Sequence, residues 1–198
     1  MAVDWASTVP DPELEPLVEV ASVHGQSDSP DLPGVIYGAV PGAFVQEQLA
    51  RGLRFGLIGS TDGHDGHPGL SQLAGGGGGL AAIEGAELTR EGLYAALKAR
   101  RTYATNGPRI VLRVSAGGAP MGSTLPAEPV QIEVRAVGTA AIERVELVSR
   151  HGVVGSRTGE GGVVFGTFPI EPLAGDFVYV RVIQEDGGLA WSSPFFFD

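Results

Sequence analysis

Two aspartates and two histidines stand within six positions of one another at the end of an apolar run. In the stretch LRFGLIGSTDGHDGHPG, they are Asp62, His64, Asp65 and His67. Carboxylate oxygens and imidazoles together suit Zn, Mn or Fe, whereas a structural zinc site usually takes thiolates, which this cysteine-free chain lacks. The stretch therefore predicts one edge of a divalent-metal site, with metal-assisted hydrolysis as its chemistry.

A second strand-like run, VEVASVHG, contains Glu19 and ends in His24. The carboxyl ends of parallel strands meet at one edge of a sheet, so we expect His24, Asp62 and His64 to face one cation. Glu19 and His67 are further candidate ligands. Simpler interpretations stay open, because Asp, Gly and His are ordinary turn residues, and Glu19 alone is better explained as a surface residue or as a residue that supports the ligands.

The order of apolar runs divides the chain in two. Up to residue 107, strand-like runs alternate with helical patterns such as GAFVQEQLARG and LTREGLYAALKARR, which predicts α/β structure with parallel strands. From Arg109 onward, short alternating runs such as VQIEVRAVG and DFVYVRVIQ show no helical period. They predict an antiparallel, immunoglobulin-like β-sandwich. We therefore expect two domains, residues 1–107 and 108–198.

Four segments of the chain together resemble one family. VEVASVHGQSD, GLRFGLIGSTDGHDGHPG, LTREGLYAALKARRTYATNG and VYVRVIQEDGGLAWSSPFFFD are similar to the C-terminal portion of a polymerase-and-histidinol-phosphatase (PHP) superfamily protein with an appended β-sandwich. The resemblance implies a distorted β/α barrel that holds two or three metals and hydrolyses a phosphoester with metal-activated water. It implies that Asp62 and His64 belong to the last ligand motif and His24 to the one before it. Glu19 matches less closely.

The chain departs from this family in its first half. No His-x-His pair occurs among its four histidines, and about 100 residues precede the sandwich, where a complete barrel takes about 250. We therefore expect a partial PHP-like β/α barrel, as the C-terminal portion of a metal-dependent phosphoesterase that carries part of the metal site and is inactive alone. The alternative is a non-catalytic binding or interaction module that uses the β-sandwich.

Composition narrows the possible partners. The net charge of −10 argues against nucleic acid and anionic membranes, and no apolar run approaches a membrane span or forms a signal peptide. The compartment stays open. We expect a divalent metal as cofactor and a small phosphorylated substrate in the full-length protein. A partial barrel has an open sheet edge, so we also expect a homodimer that covers it, unless the segment around Trp5 does so.

Overall fold

The computed structural model describes residues 9–64, 66–67, 69 and 78–198. Its helices and strands before residue 107 are β1 (Leu17–Ser22), β2 (Gly25–Gln26), α1 (Val45–Ala50), β3 (Gly56–Gly59), β4 (Leu80–Ile83), α2 (Arg90–Lys98) and β5 (Thr102–Thr105). The later elements are β6 (Val111–Ala116), β7 (Ala119–Pro120), β8 (Thr124–Leu125), β9 (Val130–Val137), β10 (Ile142–Ser149), β11 (Gly152–Thr158), β12 (Val163–Ile170), β13 (Phe177–Gln184), β14 (Leu189–Ser192) and β15 (Phe195–Phe197).

These elements stack in three layers. The outer sheet has four strands in the order β12-β9-β6-β7. The central sheet has eight, with β11-β10-β13-β14-β5-β4 as its main path and β15 and β8 attached beside β13. The N-terminal layer consists of α1 and a three-stranded sheet in the order β2-β1-β3. The central sheet therefore has a layer on each face, as in a three-layer domain.

The outer and central sheets form the predicted β-sandwich, which is confirmed. Side chains alternate inward and outward along the outer strands. In β9, every second residue from Ile132 to Ala136 is buried. The inward side chains meet those of the central sheet in one apolar core, which includes Leu112, Ile132, Leu147, Val180, Phe195 and Phe197. Burial of this surface is the main favourable contribution to the stability of the sandwich.

Strand β13 is buried along its whole length, because both of its faces are covered. Val178, Val180 and Val182 point into the sandwich core. The alternate residues Phe177 and Tyr179 point the other way, into a second core beneath the N-terminal layer. The other members of that second core include Val20, Val45, Leu49, Phe55, Leu57 and Trp191. The N-terminal layer is thus packed on the central sheet through a continuous apolar interface.

A buried ion network crosses the second core. Arg181 of β13 contacts Asp28 in the loop before α1, with Nη1 at 2.8 Å from Oδ2. The same guanidinium contacts Glu146 of β10 at 2.7 Å, and Arg144 reaches the other oxygen of Glu146 at 2.7 Å. Tyr179 donates a hydrogen bond from its hydroxyl to Asp28. Asp28 is fully buried and Arg181 nearly so, which means that their charges are stabilised by each other rather than by water.

The predicted partial PHP-like β/α barrel is wrong. The two helices of residues 9–107 in the described chain have six and nine residues, too short to form the outer ring of a barrel. In the same part of the chain β1 and β3 form the single parallel pair of strands, while β4 and β5 pair antiparallel inside the central sheet. The apolar run LRFGLIGS, one of the strand-like runs of the predicted α/β part, contains β3. This strand lies against the central sheet, where the Leu57 N–H donates a hydrogen bond to Ser193 Oγ.

The division into residues 1–107 and 108–198 stays a prediction. Hydrogen bonds run across it, because β5 pairs with β14 in the central sheet. The expected homodimer also stays a prediction, although an open barrel no longer motivates it. Trp5 lies outside the described residues. None of the described helices combines the length and apolar character that a membrane span requires.

Replacing Arg181 with methionine keeps an unbranched side chain but removes the cation between Asp28 and Glu146. We expect Arg181→Met to lower the free energy of unfolding, measured by urea denaturation, by about 3–5 kcal/mol, because two carboxylates stay buried without it. The control Arg113→Met removes an exposed ion pair with Glu84 and should cost less than about 1 kcal/mol. Equally small losses in both variants would contradict the importance of the buried network.

The pH dependence of stability should report on Glu146. Burial by itself raises the pKa of Glu146, but hydrogen bonds and charge from Arg144 and Arg181 outweigh it, so that its pKa lies below the usual 4.5. A depressed pKa stabilises the fold above the unfolded-state value, and this stabilisation is lost as the pH falls through the folded-state value. As the pH is lowered from about 4.5, the free energy of unfolding should therefore decrease. The decrease should be less steep in Glu146→Gln than in the unmodified chain. If the free energy of unfolding changed equally with pH in the unmodified chain and in Glu146→Gln between pH 5 and pH 3, the role of Glu146 would be refuted.

Candidate metal centre

The parallel pairing of β1 and β3 brings two loops to one edge of the N-terminal layer. The register runs from Leu17 opposite Gly56 to Ala21 opposite Gly59, so both strands end together. His24 lies in the turn that follows β1, and Asp62 and His64 lie in the segment that follows β3.

The three side chains form a cluster around the Asp62 carboxylate. His24 Nε2 lies 3.1 Å from Oδ2 of Asp62, and His64 Nε2 lies 3.6 Å from Oδ1. The side chain of Asp62 is 38% exposed and that of His64 is 74% exposed, so the cluster is open to solvent. The structure therefore brings together His24, Asp62 and His64. Whether they bind a metal stays a prediction.

The turn that carries His24 depends on the glycine after it. Gly25 has φ +116°, and a Cβ there would lie 2.5 Å from the carbonyl oxygen of Gly34. Only glycine fits this backbone at this distance. The His24 N–H donates to Ser22 Oγ at 3.2 Å, which further fixes the turn.

Strand β3 is held by polar side chains of the central sheet. The Leu57 N–H donates to Ser193 Oγ at 2.8 Å, and Thr102 Oγ1 donates to the Leu57 carbonyl at 2.9 Å. At the end of β3, a Cβ on Gly59 would lie 2.8 Å from the carbonyl oxygen of Leu80. The missing side chain at Gly59 therefore allows β4 to approach closely, and the segment leading to Asp62 starts from a fixed point.

Asp62 has a left-handed backbone, with φ +49°. Few residues other than glycine adopt this conformation, and aspartate and asparagine do so more readily than most. Non-glycine residues in this conformation are concentrated at functional sites. Arg100, which lies outside the cluster, has the same conformation with φ +57°, so the backbone at Asp62 accords with a site but does not mark one by itself.

Glu19 and His67 have different positions. Glu19 Oε2 accepts a hydrogen bond from Ser60 Oγ at 2.6 Å, which ties β1 to the segment after β3. Ser60 was not singled out from the sequence, although it stands two residues before Asp62. His67 is exposed, and its role as a ligand stays a prediction. Asp65 lies outside the described residues.

The donor atoms fit a divalent cation in type and in pairwise spacing. Two ligands at about 2.1 Å from a tetrahedral ion lie about 3.4 Å apart, between the two separations measured here. Each histidine, however, faces a different oxygen of Asp62. In the described chain, no group of three or more His, Asp or Glu side chains is arranged to hold one ion. Among the described residues, the cluster is therefore not a complete set of ligands for one ion.

Sequence comparisons place the chain beside proteins of unknown activity. A family model described as "Protein of unknown function (DUF3604)" matches residues 69–139, a segment that begins after His64. An uncharacterised protein from Chlamydia pneumoniae is 33% identical over 94% of this chain and 35% of its own length. One from Chlamydia trachomatis is 30% identical over the same shares. The chain spans about a third of the length of these curated relatives.

Two solved structures are similar to parts of the chain. An engineered protein aligns with 47% of this chain and 20% of its own, at 17% identity and a TM-score of 0.32. The fibronectin(III)-like modules of CbhA from Clostridium thermocellum align over 44% of this chain and 96% of theirs, at 20% identity and a TM-score of 0.29.

The resemblance to the PHP superfamily is also wrong. The matching family model is that of DUF3604, and the described fold consists of mostly antiparallel sheets without a β/α barrel. The resemblance depended on short segments. A strand that ends in Asp-Gly-His needs only one parallel neighbour to bring its ligand-type side chains beside another loop, and β1 alone provides that neighbour.

Substitutions at Asp62 should separate backbone strain from charge. Asp62→Asn should change the free energy of unfolding by less than about 0.5 kcal/mol, because asparagine also tolerates a positive φ. Asp62→Ala should be less stable than Asp62→Gly by about 1 kcal/mol, since alanine is strained in this conformation. Chemical denaturation measures both differences. If alanine and glycine were equally stable, the left-handed conformation would be refuted.

Proposed function

We propose that this chain carries part of the divalent-metal centre of a hydrolase, with His24, Asp62 and His64 as ligands. The remaining ligands come from elsewhere in a longer protein, and this chain alone is inactive. The observation that carries the proposal is the placement of two imidazole Nε2 atoms on the two oxygens of one carboxylate, at 3.1 and 3.6 Å.

The environment of the cluster supports a metal over a purely structural ion pair. A structural pair would have no need of a second histidine or of a left-handed backbone at Asp62. All three side chains are partly exposed, so their contacts contribute little to stability. Carboxylate and imidazole donors suit Zn, Mn or Fe.

His24, Asp62 and His64 would hold the cation, and a bound divalent cation would supply the activation of water that ester hydrolysis needs. The role of this chain's own residues would be to bind the cation and to fix its position. His24 is fixed by its turn, while Asp62 is fixed by its backbone and by the anchoring of β3. His64 is the most exposed of the three and is therefore the most able to reorient toward an ion.

A small phosphorylated molecule stays the proposed substrate of the whole protein. The cluster by itself does not identify the substrate class, because two imidazoles and a carboxylate can serve hydrolysis of more than one kind of ester. The substrate class is thus a separate proposal from the metal centre, and hydrolysis assays on a full-length relative would test it.

The alternative function is a non-catalytic binding module, and one feature of the sandwich supports it. A cavity of about 470 Å³ lies on the exposed face of the outer sheet, where Phe165 is 60% exposed. The guanidinium of Arg135 lies 5.3 Å from the centre of the Phe165 ring. If the chain bound no metal, this face would become the better candidate for function.

Metal titration of the chelator-stripped chain tests the primary proposal. We expect Zn²⁺ or Mn²⁺ to bind with one-site stoichiometry by isothermal titration calorimetry. His24→Ala and Asp62→Asn should each weaken binding by at least about tenfold, because losing even a partner of a ligand costs that much. Circular dichroism should show that both variants stay folded.

His151→Ala is the matched control, because His151 is an exposed histidine in the turn between β10 and β11 of the sandwich. Its affinity for the metal should equal that of the unmodified chain. If this variant lost binding as strongly as His24→Ala, the metal would be held by histidines in general. If none of the variants changed binding, the cluster would have no role as a metal centre.

A further inference from the structure

Three arginines line a cavity between the N-terminal layer and the central sheet. The cavity has a volume of about 270 Å³ and lies where the chain leaves α1 for β3. Its lining contains arginines and apolar groups but no acidic side chain, and consists of Leu49, Ala50, Arg51, Gly52, Leu53, Arg54, Arg150, Gly175, Phe177 and Phe196. A cavity with cationic walls and an apolar floor suits an anion that carries a small organic group.

Two of the three arginines have carboxylate partners outside the lining. Arg54 pairs with Asp198, and Arg150 Nε lies 2.9 Å from Asp176. Arg51 donates only to a neutral group, the Gln48 side-chain oxygen at 2.9 Å, among the contacts of the described residues. The position of Arg51 at the end of α1 has a structural reason, since cations are favoured at helix C-termini. That reason does not explain why two further arginines converge there.

A fourth arginine adds to the positive charge. Arg54 and Arg100 each place their guanidinium carbon 5.5 Å from the centre of the Phe196 ring. Arg100 donates to the Gly122 carbonyl, and within the described chain it has no carboxylate partner. Burial and then repulsion by Arg54 lower the pKa of Arg100. The three lining arginines and the two aspartates that pair with them leave an excess of one positive charge at the cavity, in a chain whose net charge is −10.

We propose that this cavity is a binding site for a small phosphorylated molecule, whose phosphate group takes the excess positive charge. Arginine guanidinium groups bind phosphate oxygens through paired, charge-assisted hydrogen bonds, which suits walls made of Arg51, Arg54 and Arg150. The buried rings of Phe177 and Phe196 form the apolar floor beneath the arginines.

This site is separate from the candidate metal centre. Arg54 precedes β3 and Asp62 follows it, so the two sites lie at opposite ends of that strand. A phosphate bound by the arginines therefore does not contact the His24–Asp62–His64 cluster. The proposal does not depend on the proposed hydrolase function.

Calorimetric titration with inorganic phosphate and with pyrophosphate, at constant ionic strength in chloride and with EDTA present, tests the proposal. We expect saturable one-site binding, tighter for pyrophosphate than for phosphate. Arg51→Gln should weaken it by about tenfold or more, because one charge-assisted hydrogen bond is lost. Arg51 is the preferred variant, since replacing Arg54 or Arg150 also breaks an ion pair of the fold. Its thermal unfolding should match that of the unmodified chain.

Two controls make the outcome decisive. Arg90→Gln removes an exposed arginine at the start of α2 and should leave pyrophosphate affinity unchanged. Asp62→Asn should also leave it unchanged, because the phosphate binds at the other end of β3. Undetectable binding, equal binding by Arg51→Gln and the unmodified chain, or loss of binding in Asp62→Asn would each overturn the proposal.

Discussion

Strand β13 is covered on both faces and carries a charged guanidinium, that of Arg181, in its middle. The structure depends on this one constraint. Arg181 cannot reach water, so its charge must be met inside the protein. One partner, Glu146, comes from the neighbouring strand, and the other, Asp28, comes from the N-terminal layer. The layer is therefore required for electrostatic reasons as well as for apolar burial.

This network also determines where the candidate metal centre lies. Asp28 stands in the loop that follows His24 and β2, and its carbonyl accepts from the Gln46 N–H in the first turn of α1. When Asp28 is bound to Arg181, the loop and the helix are positioned on the central sheet. Ser193 and Thr102 position β3 independently. The cluster thus lies at the meeting point of two segments that are anchored separately.

Features that depend on local sequence could be predicted, and features that depend on distant partners could not. The alternation in VQIEVRAVG describes a strand with one buried face, and β9 is such a strand. The run DFVYVRVIQ was assigned to the same type. Between its polar ends Asp176 and Gln184, however, it is apolar on both faces apart from Arg181, which indicated a strand covered on both faces. The run LAAI forms β4, but nothing in its sequence indicates that it pairs with β5 in the central sheet.

In the candidate site, too, the local features could be predicted and the long-range arrangement could not. His24, Asp62 and His64 could be singled out because each follows a strand-like run directly. Helical spacing in GAFVQEQLARG correctly indicated a helix, but not that α1 has only six residues. The barrel was inferred by extending that local pattern to a whole architecture. The arginine cavity had no sequence signal, because its three arginines lie on segments about 100 residues apart that only the packed layers bring together.

The three-layer arrangement has a consequence for the order in which the chain can fold. Asp28 and Arg181 are 153 residues apart in sequence, and Leu57 and Ser193 are 136 apart. On the ribosome, β1, α1 and β3 emerge long before β13 and β14. Their apolar faces therefore stay exposed to solvent until those strands have been synthesised. Contacts of such long range close slowly, and exposed apolar surface favours aggregation in the meantime. The N-terminal layer therefore completes its apolar contacts with the central sheet only after β13 and β14 have been synthesised.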